Sequence, residues 1–156
     1  MPNYSMILDA NDSFREIDFK KISVIKEDGS QLKLEELKGN VILLDLWNST
    51  CINCIEGFPK LEELKETYKG INDIRIAAVN IPIPIDSLKN ISKLTKKFTF
   101  NKWKLNSSRE AEDMGITSVP ITIILDKNLR CVYAGSFNFG WNIFYGNAKR
   151  IINRLR

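Results

Sequence analysis

The hydrophobic pattern changes period several times along the chain. Val41-Ile42-Leu43-Leu44-Asp45-Leu46-Trp47 is apolar at nearly every position, as in a strand covered on both faces. Ile74 to Asn80 repeats that pattern. After Cys51 the spacing turns helical. Phe58, Leu61, Leu64 and Tyr68 recur every three or four residues, which predicts a helix ending at Gly70. Phe19 to Ile25 carries β-branched residues and is predicted as a strand. It turns at Asp28-Gly29 and returns through Gln31 to Leu34. Glu35 to Lys38 is a short turn closed by Gly39. Asp86 is expected to cap a helix carrying Leu88, Ile91, Leu94 and Phe98. Trp103 to Leu105 reads as a short extended piece. Ser107 or Ser108 opens a short helix that stops near Gly115. Val119 to Leu125 is a strand, and Asp126-Lys127-Asn128 turns it into an antiparallel partner, Leu129 to Ala134. A last helix starts near Asn142 and runs to the end.

Strands alternating with helices predict an α/β domain, a central mixed β-sheet flanked by helices on both faces. The chain has 156 residues, enough for one hydrophobic core. Residues 1–16 are expected to form an N-terminal arm and residues 17–156 the domain. There are no repeats and no internal linker.

Composition narrows the function classes. No apolar run approaches the ~20 residues of a membrane-spanning helix, so none is expected. Met1 to Phe14 has no basic segment followed by an apolar one, so it does not read as a secretory signal. The compartment stays open between the cytoplasm and an exported domain separated from its signal. The net charge is +4, with cations gathered at Lys149, Arg150, Arg154 and Arg156. They complement the carboxyl end of the last helix. No basic run interleaved with aromatics points to nucleic acid. The chain contains no histidine. That removes Ser–His–Asp and Cys–His nucleophiles, and histidine-ligated metal sites with them.

Three cysteines remain, Cys51, Cys54 and Cys131, too few and too unevenly spaced for a disulfide framework. Cys51-Ile52-Asn53-Cys54 follows a buried strand and opens a helix. A helix amino terminus offers unpaired N–H groups and a positive dipole end, and both favour a thiolate. The thiolate is the form that attacks a disulfide. Cys51, at that terminus, is the expected nucleophile, and Cys54, one turn inward, the resolving thiol. A zinc site would need two further ligands, and there is no second C-x-x-C and no histidine to complete it, so no metal is expected. Asp45 interrupts an apolar strand six positions before Cys51. Burying it should raise its pKa.

The stretch Leu37 to Cys54, with its buried strand and C-x-x-C, resembles the active-site segment of the thioredoxin superfamily, in particular its TlpA/ResA-like thiol–disulfide oxidoreductases. Pro59 falls where such proteins kink their first long helix. Gly115-Ile116-Thr117-Ser118-Val119-Pro120-Ile121-Thr122 resembles the family segment holding a cis-proline that faces the dithiol. Ile81 to Asn106 resembles an inserted helix and strand that thioredoxin itself lacks. The resemblance covers roughly residues 17 to 155. It implies a thioredoxin fold with an N-terminal β-hairpin and that insert. It also implies exchange with protein thiol and disulfide substrates, and an upstream redox partner. No dissociable cofactor is needed for such exchange. Cys51, Cys54 and Asp45 are then the expected catalytic residues. Thioredoxin carries a buried acid at the position of Asp45, which shuttles a proton for the inner cysteine. Val119, Pro120, Ile52 and Asn53 are the expected substrate-binding residues.

The sequence also departs from the family. The ResA-like acid would sit at Gly57, and Glu56 beside it points off at another helical angle. Thr50 replaces the usual aromatic before the first cysteine, and Ile52-Asn53 lacks the usual proline. Two other functions compete. A thiol peroxidase of related fold needs Pro-x-x-x-Thr-x-x-Cys, where this chain has Leu44 and Asn48. A non-enzymatic adaptor would bind through the aromatic run Phe137, Phe139, Trp141, Phe144 and Tyr145, read first as core packing. Trp47 is expected to pack beneath the site, and Cys131 to be a small buried hydrophobe.

Overall fold

The computed structural model describes residues 12–136 and 141–156. It contains seven strands: β1 (Ser23–Ile25), β2 (Gln31–Lys33), β3 (Val41–Trp47), β4 (Ile74–Asn80), β5 (Asn101–Lys104), β6 (Ile121–Leu125) and β7 (Cys131–Gly135). They join in one sheet of order β2-β1-β5-β4-β3-β6-β7. Four α-helices accompany them: α1 (Ile52–Thr67), α2 (Leu88–Thr95), α3 (Ser108–Asp113) and α4 (Trp141–Leu155). β3 runs parallel to β4 and antiparallel to β6, so the sheet is mixed as expected.

β3 lies at the heart of the sheet, and all seven of its residues are buried. Alternate side chains of a strand point to opposite faces. Ile42, Leu44 and Leu46 therefore join one core with Phe14, Phe19, Leu34 and Met114. Val41, Leu43 and Trp47 join the other with Phe58, Leu61 and Leu64 of α1 and Ile151 and Ile152 of α4. The second core is aromatic at its centre. Phe58 meets Trp47 edge-on at 5.1 Å and Phe100 at 5.5 Å between ring centroids. Tyr68 Oη donates to Asn153 Oδ1 at 3.0 Å, tying the end of α1 to α4.

Several boundaries differ from the sequence reading. Phe19–Lys21 forms a 3-10 turn, and the strand begins only at Ser23. Asp18 accepts from the Lys20 N–H and starts that turn locally. Residues 12–16 were expected in the arm, but Asp12–Glu16 is a 3-10 turn whose Phe14 is 1% exposed and packs in the core. The rest of the arm, residues 1–11, lies outside the described residues. Ser87, not Asp86, caps α2, accepting from Asn90 N at 3.2 Å. α2 stops at Thr95, before Phe98. The extended piece expected at Trp103 to Leu105 starts earlier, at Asn101. The strand expected from Val119 begins at Ile121, whereas the last helix starts at Trp141, as expected near Asn142. Gly115 ends α3 with φ +77°, where its N–H bonds the Glu112 carbonyl; a side chain would be strained there.

Candidate active site

The site grows from the carboxyl end of β3. Asn48 leaves the strand and folds an Asx turn, its Oδ1 accepting from Thr50 N at 3.1 Å and Thr50 Oγ1 at 2.9 Å. The Asn48 carbonyl accepts from Cys51 N at 3.2 Å. The Ser49 hydroxyl donates to Asp86, which also accepts from Ile83 N at 3.1 Å. The loop before the dithiol is thus anchored both to itself and to the segment leading into α2. With its carboxylate engaged there, Asp86 does not cap α2.

Cys51 is the N-cap of α1, with extended backbone at φ −88° and ψ 95°, and its Sγ accepts from Cys54 N at 3.1 Å. Cys51 and Cys54 are joined in a disulfide, S–S 2.07 Å, so this is the oxidised form. The two sulfurs have unequal access. Cys51 is half-buried, whereas Cys54 is 1% exposed and sealed among Phe58, Trp47 and their neighbours. An open recess surrounds Cys51, lined by Asn48, Thr50, Ile52, Asn53 and Val119. Ile52 is 70% exposed, a large apolar side chain held in solvent at the rim. Val119, which lines the recess, and Pro120 after it are half-buried, and the Val119–Pro120 peptide bond is cis.

Asp45 is 2% exposed and projects to the same face as Trp47. It pairs with Thr122 across β6, whose hydroxyl donates to Asp45 Oδ1 at 3.5 Å, a long bond. Burial pushes the Asp45 carboxyl up to about 8, and the Thr122 bond opposes that only in part. Tyr145 of α4 lies within electrostatic reach. Burial raises its phenol well above the usual range, and the charge of Asp45 adds to the rise. Phe144 and Tyr145 are both buried and meet edge-on at 5.0 Å, so these two members of the aromatic run pack in the core. Phe137 and Phe139 lie outside the described residues, as does the side chain of Trp141.

Glu56 is exposed and Gly57 is buried, so no carboxylate occupies that helical position beside Cys54. Cys131 is buried in the other core, on the far face of the sheet from Cys54. Burial lifts its thiol to about 11, which leaves it unreactive. Among the described residues no group of His, Cys, Asp and Glu is placed to hold a metal ion, and no helix is long and apolar enough to cross a membrane. Sequence reasoning missed Ser49, Asp86, Thr122 and Tyr145. Asn48 carried a local signal for its turn, an Asn two residues before a threonine at a strand end, but the sequence reading did not use it. The others come together from distant parts of the chain.

A family model described as thioredoxin-like matches residues 39–131, from just before β3 to the first residue of β7. The thioredoxin-like protein YneN of Bacillus subtilis is 28% identical over 105 residues, covering 64% of this chain and 58% of that protein. The thiol-disulfide oxidoreductase ResA of Geobacillus thermodenitrificans is 26% identical over 103 residues, covering 65% and 57%. The chain thus spans less than two thirds of these relatives, and far smaller shares of other, longer ones. The structure superposes on the thioredoxin domain of a thiol-disulfide oxidoreductase from Bacteroides vulgatus with a TM-score of 0.69 and 20% identity, covering 84% of this chain and 92% of that one. With a strand, an N-cap cysteine and a matching family model all in one place, the chain belongs to the thioredoxin-like family.

Proposed function

We propose that this protein is a thiol–disulfide oxidoreductase acting on protein thiols and disulfides through Cys51 and Cys54. The observation that carries this reading is the unequal access of the two sulfurs, one in an open recess at a helix terminus and one sealed behind it. In the reducing direction the Cys51 thiolate attacks a substrate disulfide. An S–S bond forms between Cys51 and substrate as the substrate's own bond breaks, and the departing sulfur takes up a proton. Asp45, as carboxylate, accepts the proton of Cys54. The Cys54 thiolate then attacks Cys51 Sγ and releases the second substrate thiolate, which is protonated in turn. Two electrons have moved to the substrate, and the Cys51–Cys54 disulfide remains. The oxidising direction is the reverse.

The amide end of α1 favours the thiolate at Cys51, because its Sγ already receives the Cys54 N–H. Val119 lines the recess with Ile52 and Asn53, and in this reading these residues, with Pro120 beside Val119, hold an extended substrate chain whose sulfur lies at Cys51. A separate redox partner resets the pair after each turnover. The domain boundary belongs to the same proposal: residues 17–156 with the 12–16 turn packed on them form the catalytic unit.

Trapping tests this directly. The Cys54→Ser variant, mixed with a disulfide-bonded protein, should accumulate a mixed disulfide at Cys51. The Cys51→Ser variant should accumulate none. Equal trapping by both variants would overturn the assignment of nucleophile and resolving thiol.

A further inference from the structure

Beyond the dithiol, the structure holds a second concave site. It lies under α2, on the β4–β5–β1 part of the sheet, with a volume of about 600 Å³. That size is typical of sites for small organic molecules. Register explains its lining. Trp47 is opposite Asn80, Ala78 and Asn80 are opposite Lys102 and Lys104, and Lys104 is opposite Ile25. Residues opposite one another share a face. The floor is therefore apolar at Ile25, Trp47 and Ala78, polar at Asn80 and cationic at β5. α2 closes the other side with Ile91 between Lys89 and Lys96.

Two independent features describe what this groove takes. The first is charge. Lys26, Lys89, Lys96, Lys102 and Lys104 line it, against one carboxylate, Glu27, which lies 3.5 Å from Lys102. Lys89, Lys96 and Lys104 have no ion-pair partner among the described residues. The second is a buried donor. Asn80 is 2% exposed, lines the groove, and its Nδ2 has no hydrogen-bond partner among the described residues. Leaving such a group unsatisfied is costly. An acceptor atom seated on the groove floor would satisfy it.

We propose that this groove is a binding site for a small organic anion with a flat apolar body. Its carboxylate or similar acidic group is held by the lysines, and one oxygen accepts from Asn80 Nδ2. The body lies on Ala78, Ile25 and the edge of Trp47, beneath Ile91. A small molecule fits better than an added peptide strand, because β5 is already paired on both sides, to β4 and to β1.

The test is an NMR titration of the full chain labelled with ¹⁵N, using 2-naphthoate as probe and 2-naphthol as its uncharged counterpart. Naphthoate should shift the Asn80 side-chain amide saturably and bind at least about tenfold more tightly than naphthol, ~1.4 kcal/mol. The combined variant Lys89→Gln, Lys96→Gln, Lys104→Gln should reduce the preference for naphthoate at least about threefold, with disulfide exchange at Cys51 unchanged. Asn80→Ser should weaken both probes. Should Asn80→Ser fail to fold, the lysine variant decides alone, since Lys89 and Lys96 are exposed. Absence of a saturable shift at Asn80, equal binding of both probes to the unaltered protein, or an undiminished preference in the lysine variant would overturn the proposal. So would a response to an Asp/Glu-rich peptide and to neither small probe.

Discussion

Asp45 is where the chemistry and the stability of this fold meet. A carboxyl held near 8 is mostly protonated at neutral pH, and the unfolded chain, near its ordinary 3.8, is not. Below 3.8 both states carry the proton. Between 3.8 and about 8 the folded state binds more protons than the unfolded one, so stability falls as pH rises through that window. Above about 8 the loss is complete, on the order of several kcal/mol. Asp45→Asn should therefore flatten the pH dependence of denaturant unfolding and raise stability at alkaline pH. The same variant should slow release of the mixed disulfide about 10²-fold and abolish its acceleration as pH rises through about 8. A variant whose release kept that acceleration would remove Asp45 from the proton path.

Asp45 was legible in the sequence because a single acid inside an apolar strand costs desolvation energy and adds nothing to packing. Tyr145 was not, since an aromatic in a helical apolar stripe reads as packing, and its nearness to Asp45 depends on how α4 crosses the sheet. Phe14 was missed for a similar reason. One aromatic between polar residues shows no period.

At the scale of elements, the insert between β4 and β6 is held by side chains that bond main-chain groups. Ser87 caps α2, and Ser87→Ala should cost about 1 kcal/mol in urea unfolding. Glu62 on α1 reaches the segment before β5, accepting from Thr99 N at 2.9 Å and Phe100 N at 3.1 Å. Partial burial works to raise its pKa, but the hydrogen bond from the Thr99 hydroxyl, together with these backbone bonds and the nearby Lys65, outweighs that and holds it below the ordinary value. The stabilisation is present above the ordinary glutamate pKa and lost as pH falls through the lowered one. Glu62→Gln should abolish that acid-side loss and increase amide exchange at Thr99 and Phe100. The long apolar strands β3 and β4 and the helix α1 were plain from periodicity. The caps were ambiguous, because Asp86 and Ser87 are adjacent and both suited to the role. Ser49, 37 residues away, decides between them.

For the whole molecule, the sheet order separates two cores and puts the dithiol over one of them. Phe58 joins Trp47, Phe98 and Phe100 in contact behind Cys54. Phe58→Ala should cost about 3–5 kcal/mol, measured by denaturant unfolding, and open Cys54 to alkylation. Cys131→Ala should leave exchange unaltered, because that thiol sits in the opposite core. The mixed α/β sheet could be read from the alternation of patterns. The lysine-rimmed groove could not. Its walls come from a turn, four strands and a helix far apart in sequence, and only the register of β1, β3, β4 and β5 assembles them.

The difference between the two sulfurs underlies all of this, and alkylation of the reduced protein by iodoacetamide as a function of pH, followed by peptide mapping, measures it. Cys51 should react with an apparent pKa below the ~8.5 of a free thiol, while Cys54 and Cys131 stay protected until the fold is lost. Equal labelling of Cys51 and Cys54 across the pH range would contradict the account.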